Sequence, residues 1–163
     1  MELILMQHGA ALSKEINPER PLSPVGRDQA ARTGKLLRNM GLHFTAILSS
    51  PKARAVETAV IVAEAVGYPK QRIHADEVFL PKTQPKRTAE FLSQFPGDAR
   101  VLAVGHLPNL ADLASFTLTP GPPLQIVFEN AGLTCLDLGA PTVRSGSLAY
   151  HLSPRLIQMM VGR

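Results

Sequence analysis

The chain is poor in cysteine, in aromatic residues and in long apolar runs, and each scarcity excludes something. With Cys135 the only cysteine among 163 residues, no intrachain disulfide and no zinc site of the Cys-x-x-Cys type are available. Cys135 reads as a core strand residue in a reducing compartment, which makes the cytoplasm the expected location. There is no tryptophan and there are only two tyrosines, so a surface for stacking nucleic-acid bases is missing. No apolar run approaches the ~18 residues of a membrane span. Glu2 interrupts the start, where a secretory signal needs a basic region and then a longer apolar run. Neither Gly-x-Ser-x-Gly nor the Gly-x-x-x-x-Gly-Lys-Ser/Thr loop occurs, which argues against acyl hydrolysis and nucleoside-triphosphate hydrolysis.

What is present is an ordinary globular chain, 45% hydrophobic and 18% charged, of a length that fits one domain over residues 1–163. Lysine and arginine number 17 against 13 aspartates and glutamates. The resulting +4 is dispersed, so a small anionic substrate is expected, with no nucleic-acid or membrane partner.

Short apolar runs alternate with helical periodicity. Glu2 to Met6, Ala46 to Leu48 and Val101 to Val104 read as buried strands. Ser23 and Pro24 are an N-cap and a first helical residue. Ala30, Thr33, Gly34, Leu37 and Met40 then form one face, and Gly41 ends the helix. A second helix is expected from about Lys52 to Val66, stopped by Gly67. A short strand within Arg72 to Phe79, a loop from Pro81 to Pro85, and helices over Thr88 to Gln94 and Asn109 to Phe116 follow. In the last third, Gln125 to Phe128, Leu133 to Leu138 and Ser147 to Leu152 read as strands, with Asn130-Ala131-Gly132 as a tight connection. Ser153 to Val161 closes the chain as a helix. The pattern predicts a three-layer α/β/α sandwich with a mostly parallel central sheet and antiparallel strands late in the chain.

In such a sheet, ligands gather beyond the carboxyl ends of the strands. Three of those ends are polar: Gln7-His8-Gly9, Ser49-Ser50 shortly before Arg54, and Gly105-His106. An imidazole can attack phosphorus, carry the phosphoryl group and lose it to water. Arg54 near a helix start supplies a bidentate donor for phosphate oxygens. His43, His74 and His151 lack such placement. Composition and spacing alone leave both a structural and a catalytic reading of His8 and His106 open.

Leu3 to Gly9 (LILMQHG) resembles the first motif of the histidine phosphatase (phosphoglycerate mutase-like) superfamily, which usually reads Arg-His-Gly. Ser50 to Ala59 (SPKARAVETA) resembles its second motif, and Gly105-His106 its third. The short length, the segment Arg20 to Gly26 (RPLSPVG) and His106-Leu107-Pro108 are similar to the SixA-type branch of small bacterial phosphohistidine phosphatases. The resemblance implies the phosphoglycerate mutase-like fold and no metal or cofactor. It implies His8 as the nucleophile, Arg20 and Arg54 on the phosphoryl oxygens, and His106 stabilising charge on the transferring group. The partner would be a phosphohistidine-containing protein or a small phosphorylated substrate, in signalling or phosphotransfer.

Two departures shape that expectation. Gln7 stands where the family has an arginine that binds phosphate, which leaves a phospho-ligand binding module as an alternative to an enzyme. Ester-cleaving members use a glutamate after the third strand. Asp76 and Glu77 are the candidates there, and a surface pair is the simpler reading of both. Imidazole leaves easily, with a conjugate acid of pKa about 6.5, whereas an alkoxide needs a proton donor. A site without a strong acid suits phosphohistidine better than the small-metabolite esters that form the other alternative.

Overall fold

The computed structural model describes residues 1–162. Strand β1 (Glu2–Gln7) has no polar face, and its position explains why: Leu3, Ile4, Leu5 and Met6 are all completely buried. A strand covered on both sides reads as a continuous apolar run. β1 lies in a six-stranded sheet with β2 (Ala46–Ser49), β3 (His74–Ala75), β4 (Arg100–Gly105), β5 (Leu133–Asp137) and β6 (Ser147–Leu152), in the order β3-β2-β4-β1-β5-β6. β1, β2, β3 and β4 are mutually parallel, while β5 runs antiparallel to both β1 and β6.

Helices α1 (Pro24–Asn39), α2 (Ala53–Val66) and α5 (Pro154–Val161) cover one face, where Ile4, Met6, Leu102 and Val104 meet Leu37, Val62 and Ile157. Helices α3 (Pro85–Leu92) and α4 (Asn109–Leu118) cover the other, where Leu3, Leu5, Val101 and Ala103 meet Leu92, Leu110 and Leu113. Burying each large aliphatic side chain contributes about 1.5–3 kcal/mol. The architecture is the expected three-layer α/β/α sandwich. None of the helices described is long and apolar enough to cross a membrane.

α1 starts as read: the Ser23 hydroxyl accepts the Gly26 N–H at 3.1 Å, and Pro24 is the first helical residue. Gly41, at φ +69°, ends it. Met40 does not join the buried face and is 40% exposed, because it is the C-cap and lies past the last turn that packs on α2. Ser153 caps α5 in the same way as Ser23, accepting the Leu156 N–H.

Three expectations shift. Residues 125–128 form no strand. The turn at Asn130-Ala131-Gly132 would lay them beside β5, but both edges of β5 are already paired, with β1 and with β6. α3 begins at Pro85, which serves as its first helical residue rather than as a loop residue, and it ends at Leu92. Within residues 72–79 the strand is only His74–Ala75, followed by a 3-10 turn over Glu77–Phe79.

Candidate active site

The parallel strands β1, β2 and β4 end at one edge of the sheet, and their next residues build the site. His8 donates its N–H to the Gly105 carbonyl at 3.2 Å, and Ser50 donates its own to Val104 at 2.9 Å, so the ladder runs one residue past each strand. Because β1 and β4 are neighbours in register, with Gln7 opposite Gly105, His8 and His106 emerge side by side. Their ring centroids are 4.9 Å apart, inclined at 61°.

The loop carrying His8 is held from several sides. Gly9 donates its N–H to the Thr58 hydroxyl at 3.1 Å, and that hydroxyl donates in turn to the Arg54 carbonyl at 2.7 Å, one turn earlier in α2. The Asn130 amide donates to the His8 carbonyl at 2.8 Å. Two glycines allow the backbones to touch. A Cβ on Gly9 would lie 2.5 Å from the Gly26 carbonyl oxygen, and one on Gly26 would lie 2.0 Å from that of Ala10. The segment Arg20 to Gly26 is thus an abutment for the His8 loop.

The ring of His8 is fixed in one tautomer. Nδ1 is 2.7 Å from the Gly9 carbonyl oxygen, which can only accept, so Nδ1 carries the proton. Nε2 is therefore unprotonated, and it accepts the Nε–H of Arg54 at 3.1 Å. Burial pushes the pKa of His8 down to about 4, and the charges of Arg54 and Arg20 push the same way against the Gly9 hydrogen bond. His106 is 3% exposed, with Nε2 2.8 Å from the Ser50 hydroxyl. Burial, and then the neighbouring His8 and Arg54, bring its pKa down to about 3. Both imidazoles are neutral near pH 7.

Arg54 stands in the first turn of α2, and burial, followed by repulsion from Arg20, lowers its pKa. Arg20 takes a left-handed backbone conformation, φ +51°, and its Nε–H donates to the Leu12 carbonyl at 3.3 Å. Such a conformation costs a residue with a Cβ about 1–2 kcal/mol. Gln7 ends β1 with its Oε1 buried and without a hydrogen-bond partner.

These groups line one cleft of about 410 Å³: Gln7, His8, Arg20, Arg54 and His106, joined by Asn130, Ala10, Ala11, Pro81 and Leu107. All five residues singled out in the sequence meet there. Among the described residues no carboxylate lines it. Asp76 instead caps the 3-10 turn, accepting the Val78 N–H at 2.9 Å, and Glu77 is exposed. His74 stacks on Phe91, His151 pairs with the Thr134 hydroxyl, and neither these nor His43 nor the loop at residues 119–123 lines the cleft. Among the described residues no three His, Cys, Asp or Glu side chains cluster as metal ligands.

The roles of Ser50, Thr58 and Asn130 escaped sequence reasoning. Thr58 lies four residues after Arg54, on the same helical face, which is a signal that helical spacing carries. Asn130 reads only as a turn residue, and nothing local marks it as a neighbour of His8.

Residues 3–103 match the profile of the histidine phosphatase superfamily (branch 1). The chain belongs to that superfamily. The profile stops before His106, so the sheet geometry, not the profile, brings the second histidine to the first. An uncharacterized protein of Picosynechococcus sp. is 29% identical to this histidine phosphatase superfamily member over 150 residues, 89% of this chain and 90% of that one. The mitochondrial serine/threonine-protein phosphatase PGAM5 of Mus musculus is 43% identical over 49 residues, a stretch covering 30% of this chain and only 17% of that protein. The solved structure of the protein histidine phosphatase SixA complexed with tungstate superposes with a TM-score of 0.83 at 23% identity, covering 95% of this chain and 98% of that one. At that identity the likeness is one of fold.

Proposed function

We propose that this protein is a metal-independent phosphohistidine phosphatase that works through transient phosphorylation of His8 at Nε2. The observation carrying this reading is a neutral imidazole of fixed tautomer set among two guanidiniums and a second imidazole, in a cleft that no carboxylate of the described residues lines. The fold shared with SixA supports it, and so does the order of the three motifs. On the same reading residues 1–163 act as one cytoplasmic unit, on a phosphohistidine-bearing protein in signalling or phosphotransfer.

Nε2 of His8 attacks phosphorus as the P–N bond to the substrate imidazole breaks. A substrate ring protonated on its other nitrogen departs as neutral imidazole. The Nδ1–H of His8 stays on the Gly9 carbonyl, which faces the positive charge that the phosphorylated ring acquires. No general base is needed, because burial already keeps the ring unprotonated. Arg20 and Arg54 hold the phosphoryl oxygens, and His106 donates a hydrogen bond to the transferring group, its basicity restored by the arriving negative charge. Water then attacks the phosphoryl group, its proton leaves on the released phosphate, and His8 regains its lone pair.

A second reading is favoured by one observation: the buried, unpartnered Oε1 of Gln7 puts a neutral amide where the family has a charged donor. On that reading the cleft binds a phosphorylated ligand without turnover. Phosphate release from a phosphohistidine-bearing protein separates the two, assayed with a metal chelator for wild type and His8→Ala. The phosphatase reading predicts chelator-resistant release that disappears in the variant. Binding without release by wild type would establish the second reading.

A further inference from the structure

Beyond the wall formed by Arg20 and Arg54 lies a second cleft, of about 570 Å³, larger than the first. The two arginines line both. The far side of the second cleft carries Lys14 and Lys52, from the loop that leads to Arg20 and from the turn that opens α2. Pro18, Pro51 and Leu80 supply its apolar surface. Among the described residues lining it Glu19 is the one carboxylate, and Glu15, next to Lys14, lies close enough to Arg20 to feel its charge. Among the described residues, neither Lys14 nor Lys52 is in an ion pair. The ammonium of Lys52 is near enough to His106 to oppose its protonation, which puts it within electrostatic reach of the first cleft.

We propose that Lys14 and Lys52 form a subsite for carboxylates flanking the phosphorylated residue, so that the preferred substrate is a phosphoprotein segment rich in aspartate and glutamate. The proposal rests on the phosphatase reading for the position of the phosphoryl group in the first cleft. For a ligand with its phosphoryl group on Arg20 and Arg54, the cleft that shares those two arginines continues the basic surface to Lys14 and Lys52. The two lysines stand on different segments of chain, and Pro18, Pro51 and Leu80 line the same cleft. Exposed lysines give modest, salt-screened attraction, enough to choose among protein substrates.

The test compares two phosphohistidine peptides, identical except for Asp and Glu or Ser and Gln flanks, on wild type, Lys14→Ser/Lys52→Ser and Lys14→Arg/Lys52→Arg. The neutral-flank peptide is the internal reference for each variant. Wild type is expected to favour the acidic flank in kcat/KM by roughly two- to thirty-fold at low salt, the range two exposed ion pairs give. The preference is expected to vanish in the serine variant, persist in the arginine variant and fade with added salt. No preference in wild type, or a preference surviving both serine substitutions, overturns the subsite. So does a small molecule with two phosphates that competes better than the acidic peptide and loses its advantage in the serine variant. Binding of stable phosphonate mimics of both peptides is measured in parallel. Discrimination between the mimics without any turnover would remove the phosphatase reading and leave the subsite standing. Equal turnover of both peptides would remove the subsite alone.

Discussion

The Nε–H of Arg54 donates to Nε2 of His8 across 3.1 Å. The lone pair that would attack phosphorus is therefore engaged by the same guanidinium that would hold the phosphoryl oxygens. An entering phosphoryl group offers that guanidinium charged acceptors in place of a neutral one, and charge-assisted hydrogen bonds are the stronger. On the proposed mechanism, arrival of the substrate would free the nucleophile in the act of binding it.

Arg54→Ala separates the two roles. Losing a charge-assisted bond of about 1.5–3 kcal/mol predicts a fall in kcat/KM of roughly ten- to a hundred-fold. The pKa of His8, followed by NMR, is expected to rise at the same time, because a nearby positive charge has gone. A fall in rate with an unmoved His8 titration would show that the two side chains do not meet.

The histidines also set a pH dependence of stability. Their folded pKa values of about 4 and about 3 lie below the ordinary 6.5. Below pH 6.5 the unfolded chain therefore binds more protons than the folded one, and stability falls as the pH is lowered from 6.5 towards 4. Two such groups give a slope of up to about 2.7 kcal/mol per pH unit. Denaturant midpoints through that window measure it, and His106→Asn is expected to flatten the curve. A neutral nucleophile also predicts that the acid limb of kcat/KM lies near pH 4 rather than near 6.5.

Gln7→Arg is expected to raise phosphatase activity about two- to thirty-fold, the difference between a charged and a neutral hydrogen bond to the phosphoryl group. The unpartnered Oε1 of Gln7 lies buried at the cleft, where a longer donor reaches the phosphate. An unchanged rate together with unimproved phosphate affinity would show that position 7 does not serve the phosphoryl group.

Thr58→Val leaves the buried Gly9 N–H without its acceptor. A stability loss of about 1–3 kcal/mol is expected, with a lower kcat because the loop carrying His8 loosens. Thr58→Ser keeps the hydroxyl and should restore both. A Thr58→Val variant as stable and as active as wild type would show that the hydroxyl does not hold the loop.

Much of this site was legible because the residues that build it stand next to signals of regular structure. His8 and His106 follow apolar runs, and Arg54 follows a turn and opens a helix, so the parallel sheet brings them together with little further information. Ser23, Pro24 and Gly41 marked the ends of α1 through their own backbone chemistry. What the sequence hid depends on partners distant in the chain. Residues 125–128 have the composition of a strand, yet both edges of β5 are taken. Asn130 reaches His8 across 122 positions of chain, a contact set by the β1–β5 pairing and invisible to local pattern. Pro85 was ambiguous because proline suits both a loop and the first position of a helix.

Phosphorylation of His8 at Nε2 would leave a covalent bond that can be looked for directly. Wild type is mixed with a phosphohistidine-bearing protein, quenched in alkali within a turnover, digested and weighed by mass spectrometry. One added phosphoryl group is expected on the peptide containing His8, stable to alkali, lost in acid and absent from His8→Ala. Steady release of phosphate with no modified His8 peptide, or release that survives His8→Ala, would contradict it.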